Sequence, residues 1–122
     1  MPYTVSIDDE QQFVEVVYSG SITVSTRVCA MEDGAILLES RQYRRVLVDL
    51  RAADHAPAST ETGNTVANAM AQRPRVRDSR LAYLVLPAQQ ANLQVEHLTP
   101  ARHAALQHFT QREDALEWLL LD

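Results

Sequence analysis

Few residues in this sequence have the types and spacing that chemistry requires. Asp54-His55 sets a carboxylate beside an imidazole, the pairing that general acid–base catalysis uses when both groups face a pocket at hydrogen-bond range. Adjacent residues seldom point the same way and no nucleophile motif accompanies them, so the pair reads as a solvated loop. His97, His103 and His108 stand six and five residues apart, which fits neither an i,i+4 ligand pair on a helix nor a zinc-finger spacing. No metal and no cofactor is expected. Cys29 is the single cysteine, so no intrachain disulfide can form, which suits a reducing compartment. Nothing beside it argues for an activated thiolate. Arg73, Arg75 and Arg77 make a basic stretch in an acidic chain that reads first as a solvated loop between helix and strand, and their planar forks also suit an anion contact, either a phosphate group or an acidic partner surface.

The composition excludes more than it includes. All 11 basic residues are arginine, which removes a Schiff-base lysine, a phosphate-loop lysine and a lysine general base together. Gly20, Gly34 and Gly63 are the only glycines and stand far apart, so no glycine-rich turn can cradle a dinucleotide or a triphosphate. A net charge of −5 argues against nucleic acid as a partner, because phosphate binding needs a concentrated basic face. No apolar run approaches the ~20 residues that span a bilayer, so no integral membrane association is expected. The start, Met1-Pro2-Tyr3-Thr4-Val5, lacks the basic-then-apolar pattern of a signal peptide. These features predict a cytoplasmic protein. A length of 122 residues and a hydrophobic content of 46% predict one globular domain over residues 1–122.

The elements that must position any site follow from periodicity. Tyr3, Val5 and Ile7 alternate with polar residues, and Val14, Val16 and Tyr18 do the same after a polar turn, which predicts an antiparallel hairpin ended by Ser19-Gly20-Ser21. Val24, Val28, Met31, Ala35 and Leu38 then repeat every three or four residues, the stripe of a helix from about Thr23 to Gln42 with Thr23 as its N-cap. Gly34 inside that helix costs stability or marks a close packing contact. Val46-Leu47-Val48-Asp49-Leu50 is an almost wholly apolar run, as befits a central strand covered on both faces. A weaker helix is expected from about Ser59 to Gln72, a second buried strand over 81–86, a modest helix through Ala91, Val95 and Leu98, and a strand near Phe109. Thr110 and Glu113 form a capping-box pattern ahead of a last helix whose buried face is Ala115, Leu116, Leu119 and Leu120. The order β-β-α-β-α-β-α-β-α predicts an α/β fold on a mixed sheet, with the later strands parallel.

Several stretches in this order carry a resemblance. Val17-Tyr18-Ser19-Gly20-Ser21-Ile22-Thr23 enters the first helix, and Arg45-Val46-Leu47-Val48-Asp49-Leu50 follows as a central strand. Arg80-Leu81-Ala82-Tyr83-Leu84-Val85, Leu98-Thr99-Pro100-Ala101 and the segment from Phe109 to Leu119 complete it. The chain resembles the SpoIIAA-like group of STAS proteins (sulfate transporter and anti-sigma factor antagonist), a group related in fold to CRAL-TRIO lipid-transfer proteins. In the anti-sigma-factor antagonists a serine is phosphorylated where the loop after the central strand enters the next helix. The resemblance therefore implies a switch or partner-binding region at Ser59 and Thr60, with Asp49 and Asp54 before them. The acidic-Ser-Ser-Gly pattern of those relatives is missing here, and the residues by themselves favour Ser59 or Thr60 as a cap of the following helix.

The resemblance and the lack of catalytic equipment together lead to the expectation of a non-enzymatic regulatory domain that binds another protein. The alternative is a small-molecule or lipid-binding module that holds an apolar ligand in a cleft between helices and sheet. Self-association into a homo-oligomer is open to either reading.

Overall fold

The structure is a computed structural model that describes residues 3–21, 23–54, 78–86 and 105–121. β1 (Tyr3–Asp8) and β2 (Phe13–Ser21) form the expected antiparallel hairpin, with Tyr3 opposite Tyr18 and Val5 opposite Val16. Its turn is fixed locally: the Asp8 carboxylate accepts the Gln11 backbone N–H at 2.9 Å, and Gln12 takes a left-handed φ of 62°. α1 (Val24–Arg41) returns the chain to the start of the sheet. Thr23 caps it as expected, its hydroxyl accepting the Thr26 N–H at 3.1 Å, and Gln42 closes it in the left-handed conformation. β3 (Arg45–Asp54), β4 (Arg80–Leu84) and β5 (Ala105–Phe109) then add in sequence order, all parallel to β2. α2 (Arg112–Leu119) ends the described chain.

The sheet order β1-β2-β3-β4-β5 puts β3 in the middle, and the side-chain alternation of each strand divides the core in two. On one face Val14, Val16, Val46, Val48, Leu81 and Tyr83 pack under Ala30, Ala35 and Leu38 of α1. On the other Phe13, Leu47, Ala82 and Leu84 pack against Ala115 and Leu119 of α2. The mixed α/β sheet expected from the sequence is therefore present, and β3 has neighbours on both edges and cover on both faces. The helices expected at 59–72 and around Ala91–Leu98 lie outside the described residues.

β4 covers Arg80–Leu84 instead of 81–86, and three further boundaries differ from the expected ones. β3 runs on through Asp54 instead of stopping at Leu50, and Ser19-Gly20-Ser21 continues β2 instead of ending it. The cause is a bulge: Val17 pairs with Asp49 but Ser19 pairs with Ala52, so β3 carries one extra residue, and Gly20 at φ +68° keeps β2 alongside. Asp54 is thus the last residue of a strand rather than part of a loop. The third difference is at α2, where Gln111, not Thr110, is the N-cap and makes no side-chain capping bond. Arg112, the first helical residue, forks onto Glu15 of β2 at 2.9 Å through both terminal nitrogens, and this tertiary anchor sets where the helix begins.

The far end of α2 is held as firmly. The Arg80 guanidinium donates to the carbonyls of Trp118 and Leu121 and lies 5.4 Å from the centre of the Trp118 ring, a cation at the negative end of the helix dipole.

Gly34 sits where α1 crosses β2. A Cβ there would stand 3.6 Å from Val16 Cγ2 and 3.9 Å from Val14 Cγ1, ordinary contact distances. Gly34→Ala should therefore gain helix propensity without a clash and stabilise the fold by about 0.5–1 kcal/mol. Chemical denaturation of the two proteins reads this directly, as a higher midpoint at an unchanged slope.

Candidate functional site

A small pocket of about 40 Å³ opens between α1 and the sheet. The period of α1 brings Arg27, Met31, Gly34, Ala35 and Leu38 to its inner side. The floor is built by alternate residues of three adjacent strands: Val16 and Tyr18 of β2, Val46 and Val48 of β3, Leu81 and Tyr83 of β4. The register aligns Val16 with Val48 and Val48 with Tyr83, so these side chains form one continuous apolar row across the sheet. Among the described lining residues Arg27 alone carries a charge, and it comes from the first turns of α1.

The position of α1 over this floor depends on two tyrosine–carboxylate bonds. Tyr3 of β1 donates its hydroxyl to Asp33 at 2.6 Å, and Tyr43, just after α1, donates to Asp9 in the β1–β2 turn at 2.7 Å. One bond ties the helix to the edge strand and the other ties its exit to the hairpin turn. The bond to Asp33, above all, and the nearby negative charge hold the Tyr3 phenol in its neutral form, with its pKa pushed up to about 12. Tyr43 is raised in the same direction by Asp9.

The opposite face of the sheet carries charge instead. Asp49 accepts the Arg51 backbone N–H at 3.0 Å and the Arg51 guanidinium at 3.2 and 3.1 Å, which fastens the bulge in β3. Glu15 and Arg112 make the second paired fork, and each arginine is held protonated chiefly by the hydrogen bonds to its carboxylate. Among the described residues, both oxygens of each carboxylate are engaged by its own arginine. The pairs organise the β2–β3–α2 junction, and neither faces the pocket.

The residues singled out from the sequence separate accordingly. Asp49 is buried and paired with Arg51, and Asp54 closes β3 opposite Ser21. Ser59, Thr60, Arg73, Arg75 and Arg77 lie outside the described residues, as do His55, His97 and His103. His108 of β5 stacks edge-on against Tyr83 at 5.5 Å. Cys29 is exposed on α1. Among the described residues no group of three His, Cys, Asp or Glu could hold a metal ion, and no helix is long and apolar enough to cross a membrane. Arg27, Tyr18 and Tyr83 were not selected by sequence reasoning, because each looks like an ordinary member of its element until the strands are aligned. Gly34 did leave a signal, as the one residue of α1 with no side chain to keep the helix away.

No protein-family model and no curated protein matches this sequence. Among solved structures, the chain is similar to an uncharacterized protein of the DUF3478 family with a SpoIIAA-like fold, from Shewanella loihica PV-4. The two share 18% identity at a TM-score of 0.58, over 96% of this chain and 91% of the other. At that identity the likeness concerns the fold. The chain has the SpoIIAA-like fold.

The Tyr3–Asp33 bond makes a testable contribution at high pH. A phenol with a raised pKa stabilises the folded state fully below its unfolded value of 10.0, and the contribution fades as the pH rises through about 12. Tyr3→Phe should therefore melt below the natural protein at pH 8, with the gap narrowing from pH 10 upward. Parallel melting curves across that range check the sign.

Proposed function

We propose that this domain is a non-enzymatic binding module whose pocket between α1 and the sheet takes a small apolar ligand. The observation that carries the reading is the lining itself: a row of valine, leucine, methionine and tyrosine side chains with one guanidinium at the edge. Walls of this kind supply affinity through apolar area removed from water, at about 25 cal/mol per Å². A few polar groups among them fix orientation, which is the usual division of labour in a small-molecule site. Acid–base catalysis needs convergent ionisable groups at hydrogen-bond range, and the lining offers no carboxylate and no histidine among the described residues. A regulatory, protein-binding role rests on likeness of fold, and fold does not by itself fix function. The apolar pocket favours the ligand reading.

A neutral fluorescent probe that brightens in apolar surroundings, N-phenyl-1-naphthylamine, tests this with the intact chain. The natural protein should give saturable binding with a blue-shifted emission. Gly34→Leu and Ala35→Phe place new bulk in the pocket and should each weaken binding by at least about tenfold, or ~1.4 kcal/mol. Circular dichroism confirms that each variant is folded. No saturable binding by the natural protein, or equal binding by both filled variants, rules the pocket out.

A further inference from the structure

β1 is an edge strand, and among the described residues it pairs only with β2. Edge strands present a row of backbone donors and acceptors that would template another chain, and proteins blunt them with lysine, proline, bulges or inward charges. From Tyr3 to Ile7 none of these devices is present: the five residues are Tyr, Thr, Val, Ser and Ile, and their pairing with β2 runs without a register break. The sequence contains no lysine that could serve elsewhere along this edge.

The core also stops unfinished at this strand. Val14, Val16 and Tyr18 of β2 are buried, whereas Tyr3, Val5 and Ile7 beside them are only partly buried although they pack against the same cluster. Thr4 and Ser6, on the other face, are exposed. An occupant of this edge must therefore offer apolar side chains on the α1 side, small polar ones on the other, and a strand of matching length.

β1 itself meets those requirements. When two copies run antiparallel about a two-fold axis through Val5, Val5 faces Val5, Tyr3 faces Ile7, and Thr4 faces Ser6 of the other copy. Every apolar residue then meets an apolar one on the α1 side, and every hydroxyl meets a hydroxyl on the other. A slip of one residue would oppose Val5 to Ser6 and Thr4 to Ile7, so the pattern excludes it, and of the registers that keep apolar on apolar the one centred on Val5 pairs all five residues. The contact is isologous and closes on itself, giving a dimer rather than a fibre. We propose that two copies of this chain associate through β1, joining their sheets into one ten-stranded sheet with a core continuous across the axis. The dimer edge lies apart from the pocket, so a failed dimer test leaves the ligand reading untouched, and the reverse also holds.

Exposed positions on the outer face allow a test that spares the core. In the proposed register, Thr4→Lys with Ser6→Lys sets like charges directly opposite each other twice per dimer. Thr4→Lys with Ser6→Glu sets opposite charges there instead. Sedimentation equilibrium on the full chain should give a dimer for the natural protein, a dissociation constant raised roughly tenfold or more for the double-lysine variant, and recovery in the lysine–glutamate variant. Hydrogen exchange of the natural protein supplies a second readout that no substitution can confound: amide protection over Tyr3–Asp8 should rise with protein concentration. A natural protein that stays monomeric across the accessible range overturns the proposal. So does a dimer that is indifferent to both charge patterns and leaves β1 exchange independent of concentration.

Discussion

Every placement in the described fold follows from β3, which carries apolar side chains on both faces and therefore has to be covered twice. Val46 and Val48 point to the α1 side, and Leu47 points to the α2 side. A strand of that kind is unstable at a margin, where one face or one edge would meet water, and the parallel pairing with β2 and β4 removes both edges. Once β3 is central, the alternation of β2 and β4 must match it in phase, because a one-residue slip would turn their apolar sets to the wrong side. The two helices then have fixed tasks, one on each face.

The two faces are finished by different physics. The α1 face is almost wholly apolar, and two phenol–carboxylate bonds near the rim tie its helix to the hairpin. Apolar contact without a full set of large side chains leaves space, and that space is the pocket. The α2 face combines a compact cluster around Leu47 with forked arginine pairs, and its short helix is fastened by Arg112 at one end and Arg80 at the other. Forked arginine–carboxylate bonds are directional, so they fix where an element sits more sharply than burial alone. Eight residues of helix would be marginal without such anchors.

Periodicity made much of this legible. The alternation in Tyr3–Ile7 and Val14–Tyr18, the three-and-four spacing of Met31, Ala35 and Leu38, and the apolar run at Val46–Leu50 are local patterns. Each translates directly into an element and a buried face. The N-cap at Thr23 was equally local and stands where it was expected. Three of the boundary errors share one origin. The end of β3, the continuation of β2 and the start of α2 each depend on a bulge or an ion pair linking residues far apart, and Glu15 and Arg112 are 97 positions distant. No window along the chain contains both partners.

The site divides along the same line. Which residues are apolar, which face of each element they occupy, and the burial of the central strand are all local information, because side-chain period is a property of the local backbone. That Arg27, Gly34, Val48 and Tyr83 surround one space and that Asp49 pairs with Arg51 became visible in three dimensions alone. Those relations are set by strand order and register, which arise from the simultaneous burial of several elements and cannot be carried by any one of them.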